Sequence, residues 1–148
     1  RTGALDDAAA NDGFNLVTQQ TAEWNAEKAQ QIVQSVIDAG TPFNVIYAEN
    51  DDMAKGAVAA LDKANISHGV GKDVIVMGFD CNKWALEELK AGNWNYDGQC
   101  NPFQASYIDE IIKKLENGET ISEKTIIMDE KGFDATTITQ EDVDNYGI

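Results

Sequence analysis

Asn50, Asp80 and the pair Gln99-Cys100 each stand where an apolar run gives way to a helix or a turn. Trp24 follows the run Phe14–Gln20 in the same way. An amide both donates and accepts hydrogen bonds, a carboxylate accepts, and an indole presents a flat apolar face. That combination suits a neutral polyol. Its hydroxyls receive directed hydrogen bonds, and the apolar face of a sugar ring packs on the aromatic. Asn50 and Asp80 also suit helix capping, and Trp24 also suits core packing. A common location at one sheet edge is what favours the ligand reading.

Bond-making chemistry has little support. The single His68 has no distinctive flanks, so no Ser-His-Asp or Cys-His set can be assembled around it. Gly69-Val70-Gly71-Lys72 lacks the Walker spacing and precedes a strand rather than a helix. Asp51-Asp52 and the pair Asp80/Asn82 could suggest a metal, but acids at a helix start more often serve its dipole. Cys81 and Cys100 do not form a zinc spacing. No cofactor is implied, and a non-enzyme is expected. Asn65-Ile66-Ser67 fits a glycosylation acceptor, a short pattern that arises readily by chance.

The elements that position these residues alternate. Arg1–Ala10 reads as helix and Phe14–Gln20 as strand. Asn25 caps a helix with the stripe Ala29, Ile32, Val33, Val36 and Ile37, which Gly40 and Pro42 close. Phe43–Ala48 is a near-continuous apolar strand, followed at once by a helix that buries Met53, Ala57, Ala60, Leu61 and Ala64. Asp73–Phe79 is a second such strand, Lys83–Ala91 a short helix and Asn95–Cys100 a third strand. Asn101-Pro102 breaks it, and Phe103–Glu116 is an amphipathic helix. Lys124–Asp129 reads as a last strand, and Thr139 with Asp142 resembles a capping box. This alternation predicts α/β architecture: a three-layer parallel sheet with helices on both faces. In such sheets ligands bind outside the carboxyl ends of the strands, where Asn50, Asp80, Gln99 and Trp24 fall.

At 148 residues the chain is one domain or one lobe, with 43% apolar and 25% charged residues. A net charge of −15, from 26 acids against 11 bases, repels nucleic acid and anionic membrane surfaces. No apolar run approaches the roughly 18 residues of a membrane span.

Tyr47-Ala48-Glu49-Asn50-Asp51-Asp52-Met53-Ala54-Lys55-Gly56-Ala57 resembles the strand-end signature of the type 1 periplasmic sugar-binding proteins, the ribose/galactose-binding family. Val76-Met77-Gly78-Phe79-Asp80 resembles a second motif of that family, and Ala91-Gly92 leads to a strand ending before Asn101-Pro102 as the family's does. The similarity is firm over residues 1–118 and looser beyond. It implies the C-terminal lobe of a two-lobe fold, over 1–148, lacking its first strand. Carried over residue by residue, it implies that Arg1, Asn50 and Asp80 hold hydroxyls and that Trp24 covers a ring face. The family's Gln before the hinge Pro falls at Cys100, with Gln99 beside it, and Cys is a poor hydrogen-bonding partner.

The resemblance further implies hinge closure around a neutral sugar, delivery to an ABC importer through its permease, and an extracytoplasmic location, periplasmic or as a surface lipoprotein. With Cys81 next to Asp80 and the two strand ends adjacent, a Cys81–Cys100 disulfide is expected in that setting, the alternative being two buried thiols. The helix at 103–118 is expected to pack on the absent N-terminal lobe or another chain, which would cover Phe103, Tyr107, Ile108, Ile111 and Ile112. The alternatives are the effector lobe of a LacI-like regulator, which shares the fold, and an enzyme of flavodoxin-like or sugar-processing type.

Overall fold

In the computed structural model, which describes residues 1–148, the run from Phe43 becomes β1 (Val45–Tyr47) and the next becomes β2 (Ile75–Asp80). β3 is Tyr96–Gln99 and β4 is Gly132–Asp134. They form one sheet in the order β1-β2-β3-β4. The first three strands are parallel, and β4 runs antiparallel to β3. The helices are α1 (Thr2–Asn11), α2 (Ala26–Asp38), α3 (Asp51–Lys63), α4 (Lys83–Lys90), α5 (Ala105–Glu116) and α6 (Gln140–Tyr146). α3 and α4 are the crossovers between parallel strands. α2 packs on α3, which lies on β1 and β2, and α4 packs on β3 and α6. Helices flank the sheet on both sides, as expected.

Local signals place the helix starts. The Asn25 side chain accepts from the N–H of Lys28 at 2.9 Å, and that of Asn50 accepts from Met53 at 2.8 Å. Thr139 and Asp142 form the expected reciprocal capping box. Each such cap stabilises by about 1 kcal/mol. Leu61, Val74, Val76, Leu86, Leu89 and Trp94 fill the core between the layers, each contributing roughly 1.5–3 kcal/mol by burial. Trp84 and Trp94 meet edge to face at 5.9 Å.

Three expectations are corrected. The sheet is mixed rather than wholly parallel, because β4 pairs antiparallel with β3. Lys124–Asp129 is not a strand; β4 starts at Gly132, where a Cβ would lie 1.9 Å from Tyr96 Oη and where Phe133 can enter the core. Phe14–Gln20 is not a strand either. It joins no ladder, since β1 pairs only with β2 and leaves its other edge free. Between that edge, α1, α2 and the 14–20 segment lies an apolar cavity of about 800 Å³, lined by Leu5, Phe14, Leu16, Ile32 and Ile46 among others. The stripe of α5 is bare: Phe103, Tyr107, Ile108 and Ile112 are exposed, and Ile111 is half-buried. No helix is long and apolar enough to cross a membrane.

Candidate ligand-binding site

Parallel pairing brings the strand ends together. Tyr47 is in register with Met77, and Asp80 with Gln99. Beyond those ends the chain turns into α3, α4 and the Asn101–Gln104 segment, so the side chains that follow share one edge. Arg1, at the start of α1, reaches across this edge. Its Nη2 donates to Asp80 Oδ1 at 2.9 Å, and its Nη1 donates to the carbonyl of Glu49. The guanidinium lies 5.1 Å from the centre of the Phe79 ring, which meets Tyr47 edge to face at 5.2 Å. Gly98 makes room for that ring, because a Cβ there would lie 2.6 Å from Phe79 Cδ1. Arg1 and Asp80 thus form a partly exposed donor and acceptor pair on an aromatic floor, with side-chain exposures of 25% and 28%. Burial alone would lower the Arg1 pKa, but the hydrogen bond and charge of Asp80 raise it. The guanidinium is therefore a permanent donor.

Asn50 shows both of its roles. Its Oδ1 caps α3, and its Nδ2 has no protein partner. One half of the amide is structural and the other is free to donate to a ligand. Trp24 is 60% exposed, which excludes the core-packing role. It is held out by two successive left-handed residues, Glu23 at φ 52° and Trp24 at φ 60°. Trp24 and Glu49 line the same cavity, which links the tryptophan to the residue that holds Arg1.

The two remaining residues behave differently. Gln99 is beside Asp80 in register, but its Oε1 accepts from the Lys131 N–H at 3.2 Å and ties β3 to the β4 approach. Cys100 is free and exposed. The expected Cys81–Cys100 disulfide is not formed. Cys81 follows a left-handed turn that drives its thiol into the interior toward Asp97, at 3.8 Å, while Cys100 faces solvent. Burial, then the charges of Asp97 and Asp51, push the Cys81 thiol pKa up. A disulfide-exchange reagent should therefore titrate one thiol, Cys100, in the folded protein and the second only on unfolding. Two thiols silent until reduction would mean that the bridge exists.

Glu49, Tyr47 and Phe79 take part in the site and were not singled out from the sequence. Glu49 acts through its carbonyl, which no residue type announces. Tyr47 and Phe79 read as strand interior, and only their place at the strand ends could have marked them.

An open edge of parallel strands carrying a paired Arg and Asp, a half-free amide and a bare indole is the kind of place where open α/β sheets bind ligands. The model of the periplasmic binding protein domain family matches residues 1–120, and the chain belongs to that family. It is 31% identical over 146 residues to a fructose import binding protein of Bifidobacterium longum, covering 97% of this chain and 42% of that one. Over 81 residues it is 32% identical to a ribose import binding protein of Bacillus subtilis, covering 55% and 25%. Among solved structures, an ABC transporter periplasmic solute binding protein from Actinobacillus succinogenes with bound D-allose superposes with a TM-score of 0.77 at 30% identity, covering 97% of this chain and 48% of that one. A galactofuranose binding protein superposes at 0.82 with 21% identity, a likeness of fold. The chain spans less than half the length of these relatives.

Proposed function

We propose that this chain is the C-terminal lobe of a solute-binding protein that closes on a neutral sugar and hands it to an ABC importer outside the cytoplasm. The observation that carries the reading is the Arg1–Asp80 pair at the carboxyl edge of the sheet. A fixed donor beside a fixed acceptor matches a hydroxyl, which needs one of each. Asn50 Nδ2 would add a donor and Trp24 a ring face; Cys100, at the edge of the set, would contribute shape rather than a strong hydrogen bond. Gln99 would act by holding the backbone beside it. The names of the relatives support a sugar as the ligand class and binding without turnover as the activity.

The whole binding protein would supply what this lobe leaves open: a strand for the free edge of β1 and a second lobe against α5. The unpaired edge, the apolar cavity and the exposed Phe103, Ile108 and Ile112 support that arrangement. Hinge closure would then bring a second wall onto the sugar. A thermal-shift screen of pentoses and hexoses on the complete protein tests the function. A true ligand at 100 times its Kd stabilises the closed form by about 2.7 kcal/mol, a clear rise in Tm. No rise with any sugar contradicts the proposal.

A further inference from the structure

Asp51 and Asp97 are fully buried carboxyls that sit behind the site, and no cation compensates them. Asp51 opens α3, and its Oδ2 accepts from the Asn82 backbone N–H at 2.8 Å and from Asn82 Nδ2 at 3.1 Å. Asp97 lies within β3, and its Oδ1 accepts from the Cys81 thiol at 3.8 Å. One oxygen remains on each, Asp51 Oδ1 and Asp97 Oδ2, and both are buried without another partner. The two side chains adjoin at Gly78, which is the register partner of Asp97 and where a Cβ would lie 2.7 Å from Asp51 Oδ1. Two ionised carboxylates cannot hydrogen-bond, since neither carries a donor. A single proton resolves the arrangement: the O–H of one acid donates to the carboxylate of the other, and both leftover oxygens are satisfied. A metal would need more oxygen ligands than this pair offers, and no third His, Cys, Asp or Glu joins it in a metal-binding group.

We infer that Asp51 and Asp97 share one proton through neutral pH and that this proton makes them a positioning pair for the Asp80–Asn82 turn. Only the consequence for ligand contact rests on the proposed function. The turn requires holding, because Asp80 at φ 124° and Cys81 at φ 63° are both in backbone regions that L-residues rarely adopt. Asp51 clamps its far end through Asn82, while Ile148 brackets it, donating to the Cys81 carbonyl at 3.1 Å and accepting from the Lys83 N–H at 3.0 Å. Gly78 leaves the space that Asp51 occupies, since a Cβ there would lie 2.7 Å from Asp51 Oδ1. The direction in which Asp80 meets Arg1 and a ligand follows from how this turn is held.

The groups that face the pair are Asp80 from β2, the Cys81 thiol and the Asn82 amides from the turn, and each acid's partner from α3 or β3. None is a cation. Burial raises both carboxyl pKa values above the ordinary range, with like charge adding to it, and Asp97 rises further than Asp51. The folded state therefore holds a proton that the unfolded chain releases above about pH 4. The contribution of the pair to stability is fully present below that pH and is lost as pH rises through the folded-state values.

The test is carboxyl ¹³C NMR of Asp51 and Asp97 in the full chain from about pH 4 to about pH 10, with the Asn82 amide signal followed in the same samples. One proton should remain on the pair at neutral pH, in two steps that belong to the pair. The Asn82 amide should move with the upper step. Asp97→Asn keeps a donor for Asp51 and should abolish the upper step and the accompanying amide shift. Both carboxyls ionised by about pH 5 would overturn the inference. So would an Asn82 amide indifferent to the upper step, and the wild-type titration decides even if the variant fails to fold. The two-step titration seen in a protein that binds no sugar would instead strike the proposed function and leave the shared proton standing.

Discussion

Replacing Asp80 with Ala lowers sugar affinity by about 1,000-fold in the complete protein, and Asp80→Asn lowers it by about 10- to 100-fold. A hydrogen bond to a charged group is worth roughly 1.5–3 kcal/mol, and each 1.4 kcal/mol is a factor of ten. The Ala variant loses the acceptor and also strands the Arg1 guanidinium that Asp80 pairs at 2.9 Å. The Asn variant keeps the shape but turns a charged acceptor into a neutral one. Calorimetric titration reads the affinity, and Tm separates binding from folding. An Asn variant within about twofold of wild type, with an Ala variant within about tenfold, would remove Asp80 from the site.

Gly56→Val should unfold or strongly destabilise the lobe. A Cβ at Gly56 would lie 2.0 Å from the carbonyl oxygen of Ala26 and 2.7 Å from its carbonyl carbon. These are backbone atoms at the start of α2, so no side chain can swing aside, and the two helices must separate. Overpacking of this kind costs about 3 kcal/mol, or a fall in Tm on the order of 10 °C for a domain of this size. Gly56→Ala should show most of the loss, although alanine favours an exposed helix by about 1 kcal/mol over glycine. A Tm for the valine variant within about 2 °C of wild type would mean that α2 does not approach α3 as described.

Much of the sheet and its caps was legible because the signals are local. Asn25, Asn50 and the Thr139–Asp142 box each bond a backbone N–H three residues away, and a sequence displays that spacing directly. β1 and β2 were legible as near-continuous apolar runs closed by polar residues. Phe14–Gln20 failed for the opposite reason. It has strand composition, but a strand is made by its ladder partner, and no composition shows that β1 offers its edge to nothing in this chain. β4 was misplaced by a few residues because Phe133 enters the core while the apolar Ile126 and Ile127 stay in solvent.

The site divides in the same way. Strand ends are countable, so the positions of Asn50, Asp80 and Gln99 could be read along the chain. Side-chain direction could not. Cys81 and Cys100 end neighbouring strands, yet the left-handed turn sends one thiol inward. Asp97 is one acid in a short strand, and nothing near it in sequence points to Asp51. Asp51 itself read as a helix-dipole residue, and its bond to Asn82 spans 31 residues. The Arg1–Asp80 pair spans 79 residues and was reachable only through the resemblance.

The central claim is that a sugar lies on the edge that holds Arg1, Asn50 and Asp80, under the ring of Trp24. Tryptophan fluorescence of the complete protein during sugar titration tests it most directly, because Trp24 is exposed whereas Trp94 is buried and Trp84 packs against it. The account predicts a saturable change with a pentose or hexose, protection of one tryptophan from a soluble quencher, and loss of both effects in Trp24→Phe. A saturable change that persists in Trp24→Phe, or no change with any sugar, would contradict it.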